Sequence, residues 1–84
     1  MQNCMITFRS VTPAQRAQSL LQRSGTACRL QRTPRNLESQ GCGYGLRVPL
    51  PNASDALQRL RGAGIDYRKV YLQQEDGHLE ELHL

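Results

Sequence analysis

The spacing of apolar and polar positions changes several times along the chain, and each change marks an element. Cys4-Met5-Ile6-Thr7-Phe8-Arg9 is mostly apolar with imperfect alternation, as in a central strand. Ser10-Val11-Thr12-Pro13 then reads as a helix entry, with Thr12 as N-cap and Pro13 at the first helical position. Ala14, Ala17, Leu20 and Leu21 share one face at helical spacing, with Arg16, Gln18, Gln22 and Arg23 on the other. Gly25 is placed to end that helix as a left-handed cap. Residues 27–32 read as a second strand stopped by Pro34, and Tyr44 to Val48 as a third closed by Pro49 and Pro51. A second helix is expected to begin near Asn52 or Ser54, to bury Ala53, Ala56, Leu57, Leu60 and Ala63, and to end at Gly62 and Gly64. Ile65 to Leu72 reads as a fourth strand.

The two halves resemble each other: Leu20 to Leu30 and Leu57 to Arg68 each run helix, glycine stop, strand. The order strand–helix–strand, strand–helix–strand predicts an α+β fold, a ferredoxin-like βαββαβ plait. Its four-stranded antiparallel sheet has the order 4-1-3-2, with two helices on one face. Residues 1–73 form the single expected domain, and 74–84 an acidic C-terminal tail or hairpin extension. Glu75-Asp76-Gly77-His78 has the composition of a tight turn, after which Leu79, Leu82 and Leu84 suit either an edge strand or a short helix.

Composition narrows the possibilities. Eighty-four residues make one domain, and 38% apolar content with a mean hydropathy of −0.59 implies a thin core of one sheet and one helical layer. An odd cysteine count of three argues against a disulfide framework, and neither a leader peptide nor a bilayer-length apolar run is evident. Free thiols in a reducing, cytoplasmic compartment are the expectation. The charge is uneven: residues 74–84 carry −4, which leaves +8 on the remainder of a chain whose total is +4. Ten of the eleven bases are arginine, whose planar fork suits oxyanions and carboxylates. A solvated basic surface explains the same excess.

The stretch most suited to chemistry is Pro34 to Val48, in which Cys42 stands between Gly41 and Gly43 with Arg35 and Arg47 on either side. Glycines at 41, 43 and 45 leave the thiol uncrowded, unlike a structural cysteine set among branched aliphatics. In the expected topology the loop between strands 2 and 3 lies at the end where strand 1 exits, so Cys42 is expected near Arg9, Ser10 and the first helical turn. A helix N-terminus and a guanidinium both favour thiolate over thiol. Cys4 and Cys28, in expected strands, read as core filler. No C-x-x-C pair occurs, His78 and His83 lie in the tail, and the glycines lead into a strand instead of opening a helix. No metal, cofactor or nucleotide site is therefore expected.

The residues Phe8-Arg9-Ser10, Ala14, Leu20-Leu21, Pro34-Arg35 and above all Ser39 to Val48 around Cys42-Gly43 resemble the selenium/sulfur carrier protein-like domains, small bacterial proteins. The resemblance spans Ile6 to about Leu72. It implies that Cys42 accepts sulfur or selenium, held as a persulfide or selenopersulfide, with Ser10, Arg35, Ser39, Gly41, Gly43 and Arg47 in supporting positions. Such a protein is a carrier more than an independent enzyme, since no general base stands out beside the thiol. Its implied partners are a donor resembling a cysteine desulfurase and an acceptor protein, with no membrane. The competing reading is a basic protein- or RNA-binding module, or a regulatory subunit, in which Cys42 is incidental. Nucleic acid is disfavoured by the scarcity of aromatics on strands 1 and 3, although a basic body permits nonspecific backbone binding.

Overall fold

The structure, a computed structural model, describes residues 2–33 and 43–82. Its central strand β1 (Asn3–Phe8) leads to α1 (Val11–Arg23), β2 (Arg29–Arg32), β3 (Tyr44–Pro49), a 3-10 turn at Leu50–Asn52, α2 (Ala53–Gly62), β4 (Val70–Gln73) and β5 (Leu79–Leu82). The sheet is wholly antiparallel in the order β2-β3-β1-β4-β5. Five strands replace the expected four, and the four-strand order 4-1-3-2 gains β5 outside β4. The addition follows from the turn chemistry beyond β4: Gln74 N–H donates to the His78 carbonyl at 2.8 Å, Gly77 N–H to the Gln74 carbonyl at 3.0 Å, and the Asp76 carboxylate accepts from His78 N–H at 2.9 Å. A turn so closed returns the chain along β4, pairing Tyr71 with Glu81 and Gln73 with Leu79.

Alternation in β1 separates two faces. Cys4, Ile6 and Phe8 join Ala14, Ala17 and Leu21 of α1, Leu46 and Val48 of β3, and Ala53, Ala56, Leu57 and Leu60 of α2 in one core cluster. On the other face Met5 stands opposite Arg47 and Tyr71, and Thr7 opposite Gly45. Met5 and Thr7 are nonetheless buried, at 1% and 0% exposure, so five consecutive residues of β1 from Cys4 to Phe8 are out of water. This accounts for the imperfect alternation: a strand buried on both faces has no reason to alternate. A Cβ on Gly45 would stand 2.5 Å from Met5 Sδ, so the absent side chain makes room for the thioether.

Helix α1 begins differently from expectation, α2 begins where expected, and both end as expected. The N-cap of α1 is Ser10, extended at φ −146° and ψ 172°, and Pro13 is the third helical residue instead of the first. Proline is tolerated anywhere in the first turn, because amides there have no intrahelical acceptor to lose. Asn52 occupies the N-cap position of α2. At the other ends the same backbone arrangement recurs. Gly25 (φ 81°) and Gly64 (φ 71°) donate to the carbonyls of Gln22 and Arg61, while Thr26 and Ile65 reach back to Leu21 and Leu60. These are Schellman caps with glycine in the left-handed position. Ala63, expected in the buried face of α2, lies exposed at its C-cap.

The expected strand from Ile65 to Leu72 is corrected to Val70–Gln73. Ile65 is drawn back over the end of α2 and buried at 6% exposure, so the chain must first cross from the helical layer to the sheet. It reaches β1 only where Arg68 N–H donates to the Thr7 carbonyl at 2.7 Å and the Lys69 carbonyl accepts from Thr7 N–H at 2.9 Å.

The caps give a conformational test. No atom lies within 4 Å of a Cβ built on Gly25, Gly62 or Gly64. Gly25→Ala and Gly64→Ala should therefore each lower the unfolding free energy by about 1–2 kcal/mol through backbone strain alone. Gly62→Ala, at a helical position, should instead raise it by up to about 1 kcal/mol. Urea unfolding of the three variants checks both signs.

Candidate functional site

The end of the sheet where β1 finishes and β3 starts is defined by register. Phe8 pairs with Tyr44, and Thr33 N–H, just past β2, donates to the Gly43 carbonyl at 3.0 Å. Thr33 and Gly43 are both buried. Thr33 and Gly43, which flank residues 34–42, are therefore held together by one hydrogen bond. Cys42, Arg35, Ser39 and Gly41 fall in that stretch, outside the described residues.

Of the expected supporting residues, Ser10 and Gly43 come to this end and Arg47 does not. Ser10 follows Arg9 at the exit of β1, exposed, and its hydroxyl makes no capping bond to α1. Arg47 lies opposite Met5 and Arg29 on the sheet face away from the helices, four residues into β3 from Gly43. At about 3.3 Å per residue its backbone is roughly 13 Å along the strand. The structure thus keeps Arg47 and Ser10 apart.

Tertiary pairing supplies other cations to the same end. The Thr7 hydroxyl donates to the Lys69 carbonyl at 3.2 Å and accepts from Lys69 N–H at 3.1 Å, which fixes the 68–69 segment beside the end of β1. Between this segment and the start of α1 lies a cavity of about 670 Å³, lined by Arg9, Ser10, Arg16, Asp66, Arg68 and Lys69 among others. Sequence reasoning missed this group, because Arg16 read only as part of a solvated helix face and Arg68 and Lys69 as strand residues. A cavity between two segments about fifty residues apart leaves no local signal.

The two described thiols are both inside the fold. Cys4 is fully buried in β1, and desolvation pushes its thiol up to about 11 from an ordinary 9.0. Cys28 is half-buried just ahead of β2, with Sγ 3.8 Å from the Gln18 carbonyl, and burial raises its thiol as well. A thiolate is the nucleophile, so both environments suppress reactivity at neutral pH. Among the described residues no cluster of three metal-ligating side chains occurs, and no helix is long and apolar enough to cross a membrane.

The family model described as Putative Se/S carrier protein-like matches residues 3–72. The chain belongs to this family of selenium/sulfur carrier-like proteins. No curated protein and no solved structure matches it.

Burial of Cys4 predicts a pH signature. Its folded pKa is above the unfolded value, so the neutral thiol's contribution is intact below pH 9 and is lost as pH rises towards 11. The loss should be roughly 2–3 kcal/mol. Comparing unfolding free energies of the wild type and Cys4→Ala across this window checks it: the steeper fall should belong to the wild type.

Proposed function

We propose that the chain is a sulfur or selenium carrier that holds the chalcogen on Cys42 and passes it to a partner protein. The observation that carries this reading is the family match across residues 3–72, which includes Cys42. The two other thiols strengthen it, because burial raises the pKa of both Cys4 and Cys28 and leaves Cys42 as the candidate. The fold is then a ferredoxin-like plait, 1–73, extended by the β4–β5 hairpin.

The chemistry is an exchange without net oxidation. The Cys42 thiolate attacks the terminal sulfur of a donor persulfide, a new S–S bond forms, the donor's S–S bond breaks, and the donor leaves as a thiolate. An acceptor thiolate repeats the step on the Cys42 persulfide and releases the Cys42 thiolate. Ser10, Arg35, Ser39, Gly41, Gly43 and Arg47 act as supporting residues, with the distance of Arg47 from Gly43 along β3 giving it the weakest part. A cysteine desulfurase-like protein fits the donor role, and the setting is cytoplasmic.

The RNA-binding alternative is less well supported. An open sheet face binds single strands by stacking bases on exposed aromatics. Phe8 and Tyr44 share a paired position on the helix side, and Tyr71, the aromatic on the open face, is 5% exposed.

Incubation with a cysteine desulfurase and cysteine, followed by intact mass spectrometry under non-reducing conditions, tests the carrier reading. The wild type should gain the mass of one sulfur atom and Cys42→Ser should not. Equal gain in both, or none in either, rejects Cys42 as the acceptor.

A further inference from the structure

Thr33 buries a hydroxyl at a point where folding gives it nothing to bond. The residue is 7% exposed, and among the described residues its Oγ1 has no hydrogen-bond partner. Its backbone, in contrast, is tied, with the N–H donating to the Gly43 carbonyl at 3.0 Å. Thr7 shows the usual arrangement: equally buried in β1, its hydroxyl donates to the Lys69 carbonyl and accepts from Lys69 N–H. A hydroxyl removed from water without such a partner loses the bonds it made in the unfolded chain and destabilises the fold.

Packing does not call for threonine here. Valine has the same branched outline, suits extended backbone as well, and would bury no polar atom. An unpaired buried polar group is kept where a role outside folding uses it. The neighbouring chain indicates that role, because Gly43 is bonded directly to Cys42, one peptide unit or ~3.8 Å from Cα to Cα. Gly43 brings no side chain of its own between Thr33 and that peptide.

We propose that Thr33 serves the sulfur of Cys42, its backbone anchoring Gly43 and its hydroxyl donating a hydrogen bond to the sulfur anion. The inference rests on Cys42 being the carrier residue. A donor of this kind favours the thiolate over the thiol and so keeps the empty carrier nucleophilic. The same hydroxyl holds the persulfide, whose terminal sulfur is also an anion.

Alkylation of the full chain by iodoacetamide at neutral pH, followed by intact mass spectrometry with Cys42→Ser as the blank, tests the donor. Thr33→Val should slow the reaction at least ~3-fold, because the thiolate fraction falls by more than the nucleophilicity of the remaining thiolate rises. Thr33→Ser, which keeps the hydroxyl, should react within about two-fold of the wild type. Since the hydroxyl has no partner to lose, Thr33→Val should not lower the midpoint of urea unfolding. Wild-type alkylation in Thr33→Val, equal slowing in Thr33→Ser, or a lowered urea midpoint in Thr33→Val overturns the proposal. The desulfurase assay separates it from the reading beneath it. A wild type that takes up no sulfur rejects the carrier role and this inference together, whereas sulfur uptake with unchanged Thr33→Val alkylation rejects this inference alone.

Discussion

Everything else in the molecule is built on the burial of β1 from both sides. Hydrogen-bonded to β3 on one edge and β4 on the other, it contributes Cys4, Ile6 and Phe8 to the helical core and Met5 and Thr7 to the opposite face, none of them more than 1% exposed. An unpaired backbone amide at such a depth would cost as much as a lost hydrogen bond, so both neighbouring strands are obligatory. The geometry of the ends of β1 is therefore set by the two pairings. Its C-terminal end receives Tyr44 from β3 and Arg68–Lys69 from the approach to β4, and it delivers Arg9 and Ser10 to the start of α1.

The outer strands are arranged around that centre to protect it. β2 and β5 are four residues each, and carry Arg29 with Arg32 and Glu80 with Glu81. Short edges bearing charge discourage pairing with other chains. The β5 hairpin places Tyr71 and Glu81 side by side and brings the acidic end of the sequence next to Lys69. The tail's negative charge thus partly offsets the basic body in space as well as in total.

The thiols follow from the same layering. A cysteine in a strand buried on both faces, such as Cys4, is held neutral by desolvation. Packing of Cys28 against α1 has the same direction of effect. The fold thus places two sulfurs where desolvation disfavours their thiolates, while Cys42 falls among the nine residues between Thr33 and Gly43, outside the described ones.

Local constraints in the sequence determined the helices and the strand centres. Glycine at 25 and 64 marks a left-handed stop whatever surrounds it, and the Ala14, Ala17, Leu21 and Ala53, Ala56, Leu57, Leu60 spacings are buried stripes of one helical period. The family was legible too: the resemblance read from Phe8-Arg9-Ser10 and from Ser39 to Val48 agrees with the match over residues 3–72. Tertiary structure decided what depends on segments meeting. Ile65 alternates like a strand residue but folds back onto Leu60, because completing the helix cap and covering the core outweigh pairing at that point. Leu79 and Leu82 became a strand because a closed turn offered them β4 as a partner. Arg47 is close to Gly43 in sequence yet carried away from it along β3, whereas Arg16, Arg68 and Lys69 are distant in sequence and gathered at one cavity. Residue type and local spacing specify backbone conformation, but charges converge only through the long-range hydrogen bonds that put strands side by side.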